Sequence, residues 1–237
     1  MLVAAAVCPC PPLLVPEVAA GAAHELDAAR AACSDALAVV AAAGPDRLAV
    51  VGPTDGAGHG PYPAGSPGSL RGFGVDVAVT LGAPDGSAPG RELPPSLTVG
   101  AWLLDRAGLA DRPVTGLGVD TALPQDRCAD AGRRLAAAGE RVALLVLGDG
   151  SACRTDKAPG AFDERAAAFD ADAARALGAA DTVALAAVDA GLAGAVRAAG
   201  RAPWQVLAGA AAGAGLAGRL LYDEAPYGVG YLVASWS

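Results

Sequence analysis

Arg141-Val-Ala-Leu-Leu-Val-Leu147, running directly into Gly148-Asp149-Gly150-Ser151, is the stretch that decides the fold. Six apolar residues without polar alternation fit a strand covered on both faces, as in the centre of a parallel sheet between helical layers. The four residues after it then form a strand-end loop carrying polar atoms. Leu2 to Cys8 reads as a second buried strand, leaving through Pro9-Cys10-Pro11-Pro12, where fixed φ angles give the exit a defined direction. Between these two, Glu17 to Ala43 reads as one long proline-free helix ending at Gly44-Pro45, and Arg47 to Gly52 as a strand. Pro53 to Gly72 is too rich in Gly and Pro for a regular element and reads as a long loop.

Further along, Val75–Thr80 and Val114–Val119 read as strands, and Pro95–Ala107 and Arg127–Ala138 as helices. Phe162–Leu177, Asp181–Ala199 (broken at Gly191) and Pro203–Ala217 are expected to be helical. The strands Arg219–Tyr222 and Gly228–Ser235 close the chain, joined across Asp223 to Tyr227. This alternation predicts an α/β fold over residues 1–237, a single three-layer α/β/α domain with a mostly parallel sheet. In such sheets ligands gather beyond the carboxyl ends of strands. The loops after Val7, Gly52 and Leu147 are therefore the expected crevice.

Composition narrows the function. Apolar residues make up 53% of the 237, much of it Ala, which predicts closely packed helices with few bulky anchors. The net charge of −8, without Lys/Arg clusters, argues against nucleic acid and anionic membranes as partners. The apolar start lacks a basic flank and is interrupted by Pro, fitting neither a signal peptide nor a membrane span, so a cytoplasmic location is expected. Five cysteines without framework spacing read as reduced thiols, with Cys33 and Cys128 as buried small hydrophobes.

Cys8-Pro-Cys10 lacks zinc-finger spacing and a second Cys pair. In an extended segment its side chains diverge, one inward and one toward the loop. His24 falls within the first helix, where a solvated or capping role is expected rather than ligation. His59, in Thr54-Asp-Gly-Ala-Gly-His59-Gly60, can reach the same crevice as Cys10. Neither a Walker loop nor a dinucleotide fingerprint is present, which excludes nucleotide as an expected cofactor. Gly148 to Ser151 is not a nucleophile elbow. Asp163-Glu164, Asp170 and Asp172 read as acidic first-turn residues of a helix.

Taken in order, several segments resemble the catalytic B subunit of class III extradiol ring-cleavage dioxygenases. They are Ala-Ala-Val-Cys-Pro-Cys-Pro-Pro-Leu-Leu at 5–14, Val-Val-Gly-Pro at 50–53, Leu-Gly-Asp-Gly-Ser-Ala at 147–152, Ala-Pro-Gly-Ala-Phe-Asp at 158–163 with Phe169-Asp170, and Ala-Pro-Tyr-Gly-Val-Gly-Tyr at 225–231. The likeness spans nearly the whole chain and is nearest to the short stand-alone members, to which Memo-like proteins are related. It implies a non-haem Fe(II) held by two histidines and a glutamate, with a further histidine as acid/base, opening a catechol ring with O₂. On this sequence the first ligand falls on Cys10, the second near Thr54, the base on Ala152, and the carboxylate on Asp223 or Glu224.

The resemblance therefore implies a metal-dependent oxidoreductase of the dioxygenase type, acting on a small aromatic molecule with an altered metal site. Cys10, His59 and Glu224 would form a softer ligand set, suited to zinc or copper more than to Fe(II). Thr54, Asp149, Ser151 and Tyr227 are the expected pocket groups, and homo-oligomers are expected by analogy with related enzymes. The alternative is a catalytically inactive relative that binds a small molecule or a protein.

Overall fold

In the computed structural model, which describes residues 1–86, 90–112 and 114–237, the run Val142–Leu147 forms β7, buried along its whole length. The elements before it are β1 (Leu2–Cys8), α1 (Pro16–Ala19), α2 (Asp27–Ala42), β2 (Arg47–Thr54), β3 (Gly60–Tyr62), β4 (Pro67–Ser69), β5 (Ala78–Thr80), α3 (Pro95–Arg106), β6 (Val114–Asp120) and α4 (Gln125–Ala136). After it come α5 (Ala166–Gly178), α6 (Thr182–Ala186), α7 (Ala190–Ala195), α8 (Arg201–Ala211), β8 (Gly218–Glu224) and β9 (Tyr231–Trp236).

A sheet of seven strands runs in the order β3-β6-β2-β7-β1-β9-β8. The four inner strands from β6 to β1 pair in parallel, while β3 and β9 pair antiparallel to their neighbours. Strand β8 pairs antiparallel with β9 and so points the same way as β1. The expected mostly parallel α/β sheet is thus present, with antiparallel strands at its flanks.

Alternation along each inner strand divides two apolar layers. Ala4, Ala6 and Cys8 of β1, with Leu48 and Val50 of β2, face α2 and α3. Ala5 and Val7, with Ala49 and Val51, face the layer of α5, α6 and α8. Helix α2 meets the sheet through Ala29, Ala32, Cys33, Ala36, Leu37 and Val40, the three-and-four spacing of one helical face. Each Leu or Val wholly buried in β7 contributes on the order of 2 kcal/mol. Among the described residues, no helix is long and apolar enough to cross a membrane.

Several expected elements differ. The helix expected over Glu17–Ala43 is interrupted: α1 stops at Ala19, Ala20 takes a left-handed φ of 48°, and a 3-10 segment spans Ala20–Leu26. Between Ala19 and Leu26 no side chain is buried, so the weak helix former Gly21 meets no compensating packing. The Pro53–Gly72 region holds β3 and β4, short edge strands that tolerate Pro because one side of each needs no ladder. Strand β5 pairs with β4 in a separate two-stranded sheet. The break expected at Gly191 falls earlier, because Asp189 caps α7 through the Leu192 N–H and starts a new helix there. Asp223 and Glu224, expected in a loop, are the last residues of β8.

Candidate functional site

The connections place a topological switch point at the centre of the sheet. Strands β1 and β2 lead into the helices of one layer, α2 and α3, whereas β7 leads into α5 on the other. Since β7 lies between β1 and β2, the chain leaves in opposite directions from adjacent strand ends. Such a reversal opens a ligand crevice beyond the carboxyl edge.

At this point the Gly148–Ser151 loop is tied down on every side. The Gly148 N–H donates to the Cys8 carbonyl at 3.0 Å, Gly150 N–H to Gly230 at 2.7 Å, and Gly230 N–H back to Ser151 at 2.8 Å. The Asp149 carbonyl accepts from Gly200 at 2.8 Å. The motif's glycines are required by close approach, since a Cβ on Gly148 would lie 2.4 Å from the Gly200 Cα and one on Gly150 2.6 Å from an Asp170 oxygen. Between them Asp149 carries the side chain, and its Oδ1 accepts the Cys10 N–H at 2.8 Å.

Withdrawal from water pushes the Asp149 carboxyl up to about 6, only partly offset by the Cys10 N–H. Tyr231 stands nearby, its phenol pushed up by burial and then by Asp149, Tyr227, Cys10 and Tyr222. The Cys10 thiol is likewise pushed well up, first by burial and then by the Asp149 charge. A thiol held in its neutral form is a poor nucleophile and a poor metal ligand. The site offers one carboxyl that changes charge near neutrality, beside the Tyr231 phenol and a neutral thiol.

Because its pKa is raised, Asp149 holds its proton more tightly in the folded chain than in the unfolded one. Its effect on stability is therefore most favourable below pH about 4, declines between about 4 and 6, and stays unfavourable above. Asp149→Asn keeps an oxygen for the Cys10 N–H while removing the charge. It should stabilise the protein by on the order of 2 kcal/mol at pH 7.5 and by nothing measurable at pH 3.5, read from urea unfolding at both values.

The expected ligand set does not converge. His59 is exposed, and its Nδ1 accepts the Asp120 N–H at 3.2 Å, beside the end of β6. Cys10 follows β1, three strands away, which at ordinary strand spacing is about 14 Å. Glu224 is exposed at the end of β8, two further strands beyond β1. Ligands of one zinc ion each lie about 2.0 to 2.3 Å from it. Among the described residues, no group of three His, Cys, Asp or Glu side chains is placed to hold a metal. Cys10, expected to face the loop, is buried within the core layer beside Cys8. Proline-directed exit turns the chain back onto the sheet rather than outward.

Ser151 also departs from its expected pocket role: it is fully buried and its hydroxyl donates to Asp170 at 2.7 Å. Thr54 lines a separate cavity of about 450 Å³ with Tyr62 and Arg91. The Arg91 guanidinium stacks 4.3 Å from the Tyr62 ring and donates to the carbonyls of Ala57, Gly58 and His59, fixing the Gly-rich loop. Tyr227 is half-buried, its phenol raised by burial and by Glu25. Cys33 and Cys128 are buried, as expected.

Asp170 and Tyr231 have roles that sequence reading missed. Asp170, expected as a first-turn charge, lies in the middle of α5 with 1% of its surface exposed. It accepts the Ser151 N–H and hydroxyl, both at 2.7 Å, and Arg154 at 3.0 Å. A signal was available, since Asp170 shares the apolar stripe of Ala166, Phe169, Ala173, Ala174 and Leu177. A carboxylate on such a stripe needs buried partners.

No family model and no curated protein matches this chain. Among solved structures it is similar to the uncharacterized protein JW3007 of Escherichia coli K12, with a TM-score of 0.57 and 16% identity over 99% of each chain. At that identity the likeness shows a shared fold and no more.

Proposed function

We propose that this protein is a relative of the class III extradiol dioxygenases that binds a small phenolic or polar molecule in the switch-point crevice without cleaving a ring. The observation that carries the reading is the Asp149 carboxyl, desolvated and held by the Cys10 N–H, near Tyr231, which in turn neighbours Tyr222 and Tyr227. A carboxyl titrating close to neutrality accepts a hydrogen bond from a ligand hydroxyl when ionised and donates one when protonated. Tyr231 is buried, and the half-buried Tyr222 and Tyr227 rings are the ones that can supply flat apolar surface to an aromatic body.

The donor set does not fit the Fe(II) that the resemblance implies. Two histidines and a glutamate around an open metal face are needed, and Cys10, Thr54 and Ala152 stand where the histidines would be. His59 and Glu224 lie on opposite sides of the crevice, too far apart to replace them. Without a base at Ala152, no side chain there moves the substrate proton.

The test has two readouts. Phenol, catechol and non-aromatic diols should be titrated against wild-type and Asp149→Asn protein by calorimetry. Binding of at least one phenol, weakened about tenfold or more in the variant, is the expected result. With Fe(II) restored anaerobically and catechols added, O₂ consumption should equal the protein-free blank. Formation of a ring-opened product above that blank would overturn the proposal, as would equal affinity of both proteins for every compound.

A further inference from the structure

On the far side of the Asp149 loop, a cavity of about 600 Å³ lies between the turn after β6 and the segment from α7 to the start of α8. Its lining is unusual for an acidic chain. With 25 Asp and Glu against 17 Lys and Arg overall, the only charged residues that line it among the described residues are Arg197 and Arg201. The remaining wall is small: Ala190, Gly191, Ala193 and Gly194 leave room beside the two guanidinium groups.

Neither arginine is neutralised. Arg201 is 3% exposed, and its donors go to the carbonyls of Thr121 and Leu123 and to the Gln205 side chain. Neutral oxygens satisfy hydrogen bonds but leave the charge uncompensated, which burial makes costly. No carboxylate pairs with it among the described residues. Arg197 is exposed, and its guanidinium makes one long hydrogen bond, 3.4 Å to the Pro159 carbonyl. Its left-handed backbone, φ 56°, closes the C-terminus of α7, with the Arg197 N–H on the Gly194 carbonyl and the Ala198 N–H on the Ala193 carbonyl.

We infer that this cavity is a binding site for a small organic anion, a phosphate or a carboxylate, gripped between Arg197 and Arg201. Guanidinium groups match both oxyanions through paired N–H donors. The volume is that of a metabolite-sized pocket, typically about 300 to 1,000 Å³. The site is separate from the phenolic crevice. The Val196 and Gly200 backbones nonetheless bond to Ala152 and Asp149, so the two share one scaffold.

Arg197→Gly is a decisive variant, because glycine adopts the positive φ without strain while losing the charge. Inorganic phosphate and citrate should each be titrated by calorimetry against the full-length wild type and this variant, at constant ionic strength set with chloride. Wild type should bind at least one anion, and the variant about tenfold or more weakly, with an anion-free melting temperature no lower than that of wild type. Binding of phosphate alone or citrate alone would assign the anion class. Absence of binding to wild type by either anion at 10 mM would overturn the inference. So would equal affinity in both proteins. Asp149→Asn, which removes the carboxyl of the other site, should leave anion affinity unchanged, so the two proposals fail independently.

Discussion

Asp170→Ala should destabilise the protein by about 4 kcal/mol, the largest effect expected of any single polar substitution in it. Its carboxylate is 1% exposed and collects the Ser151 N–H, the Ser151 hydroxyl and the Arg154 guanidinium. Alanine leaves the first two buried without acceptors, at about 1 to 3 kcal/mol each. Arg154 is 30% exposed and can turn to water, so its loss adds little. For a chain of this size the change corresponds to a melting point lower by about 8 to 16 °C. Guanidinium unfolding with an unchanged slope would measure it, and a loss below about 1 kcal/mol would mean that the loop is held by its backbone bonds alone. Asp170→Asn, which retains an acceptor for the N–H, should lose roughly half as much. Because the same carboxylate lies where a Cβ on Gly150 or Gly230 would fall, its loss should also loosen the Asp149 loop and weaken phenol binding.

Gly132→Ala should cost about 3 kcal/mol, at the upper end of what overpacking usually costs. Helices α4 and α8 approach so closely that a Cβ on Gly132 would stand 2.0 Å from the Val206 carbonyl oxygen and 2.6 Å from the Ala210 nitrogen. Across the same contact, a Cβ on Gly209 would stand 2.3 Å from the Ala129 carbonyl. The obstructing atoms are backbone, so relief requires the helices to separate rather than a side chain to rotate. Thermal unfolding of the variant reports the loss directly. The control is Gly194→Ala, where a Cβ meets nothing within 4 Å within helix α7, and where stability should hold or rise slightly. Equal melting points for the two variants would show that the helix pair adjusts without cost.

Much of the architecture was legible along the chain. The apolar runs of β1, β2 and β7, the Gly44-Pro45 stop and the polar tetrapeptide after Leu147 locate the sheet and its loaded edge. The interruption at Ala20 and the edge strands within Pro53–Gly72 were not legible, because each depends on burial or pairing with distant residues. In the site the contrast is sharper. Asp149 is marked by its place at a strand end, but its raised pKa arises from burial in the folded chain, offset in part by the Cys10 N–H after β1.

Hydrophobic pattern and turn chemistry, which act between near neighbours, determined the α/β class and the crevice loops from sequence alone. Strand order was decided only in three dimensions. It separates Cys10, His59 and Glu224 across the sheet, turns Ser151 inward to Asp170, and brings Tyr231 beside Asp149. The physical reason is that coordination and desolvation depend on distances of a few ångströms between segments far apart in the chain. Those distances follow from which strands pair, and local propensity carries no information about that pairing.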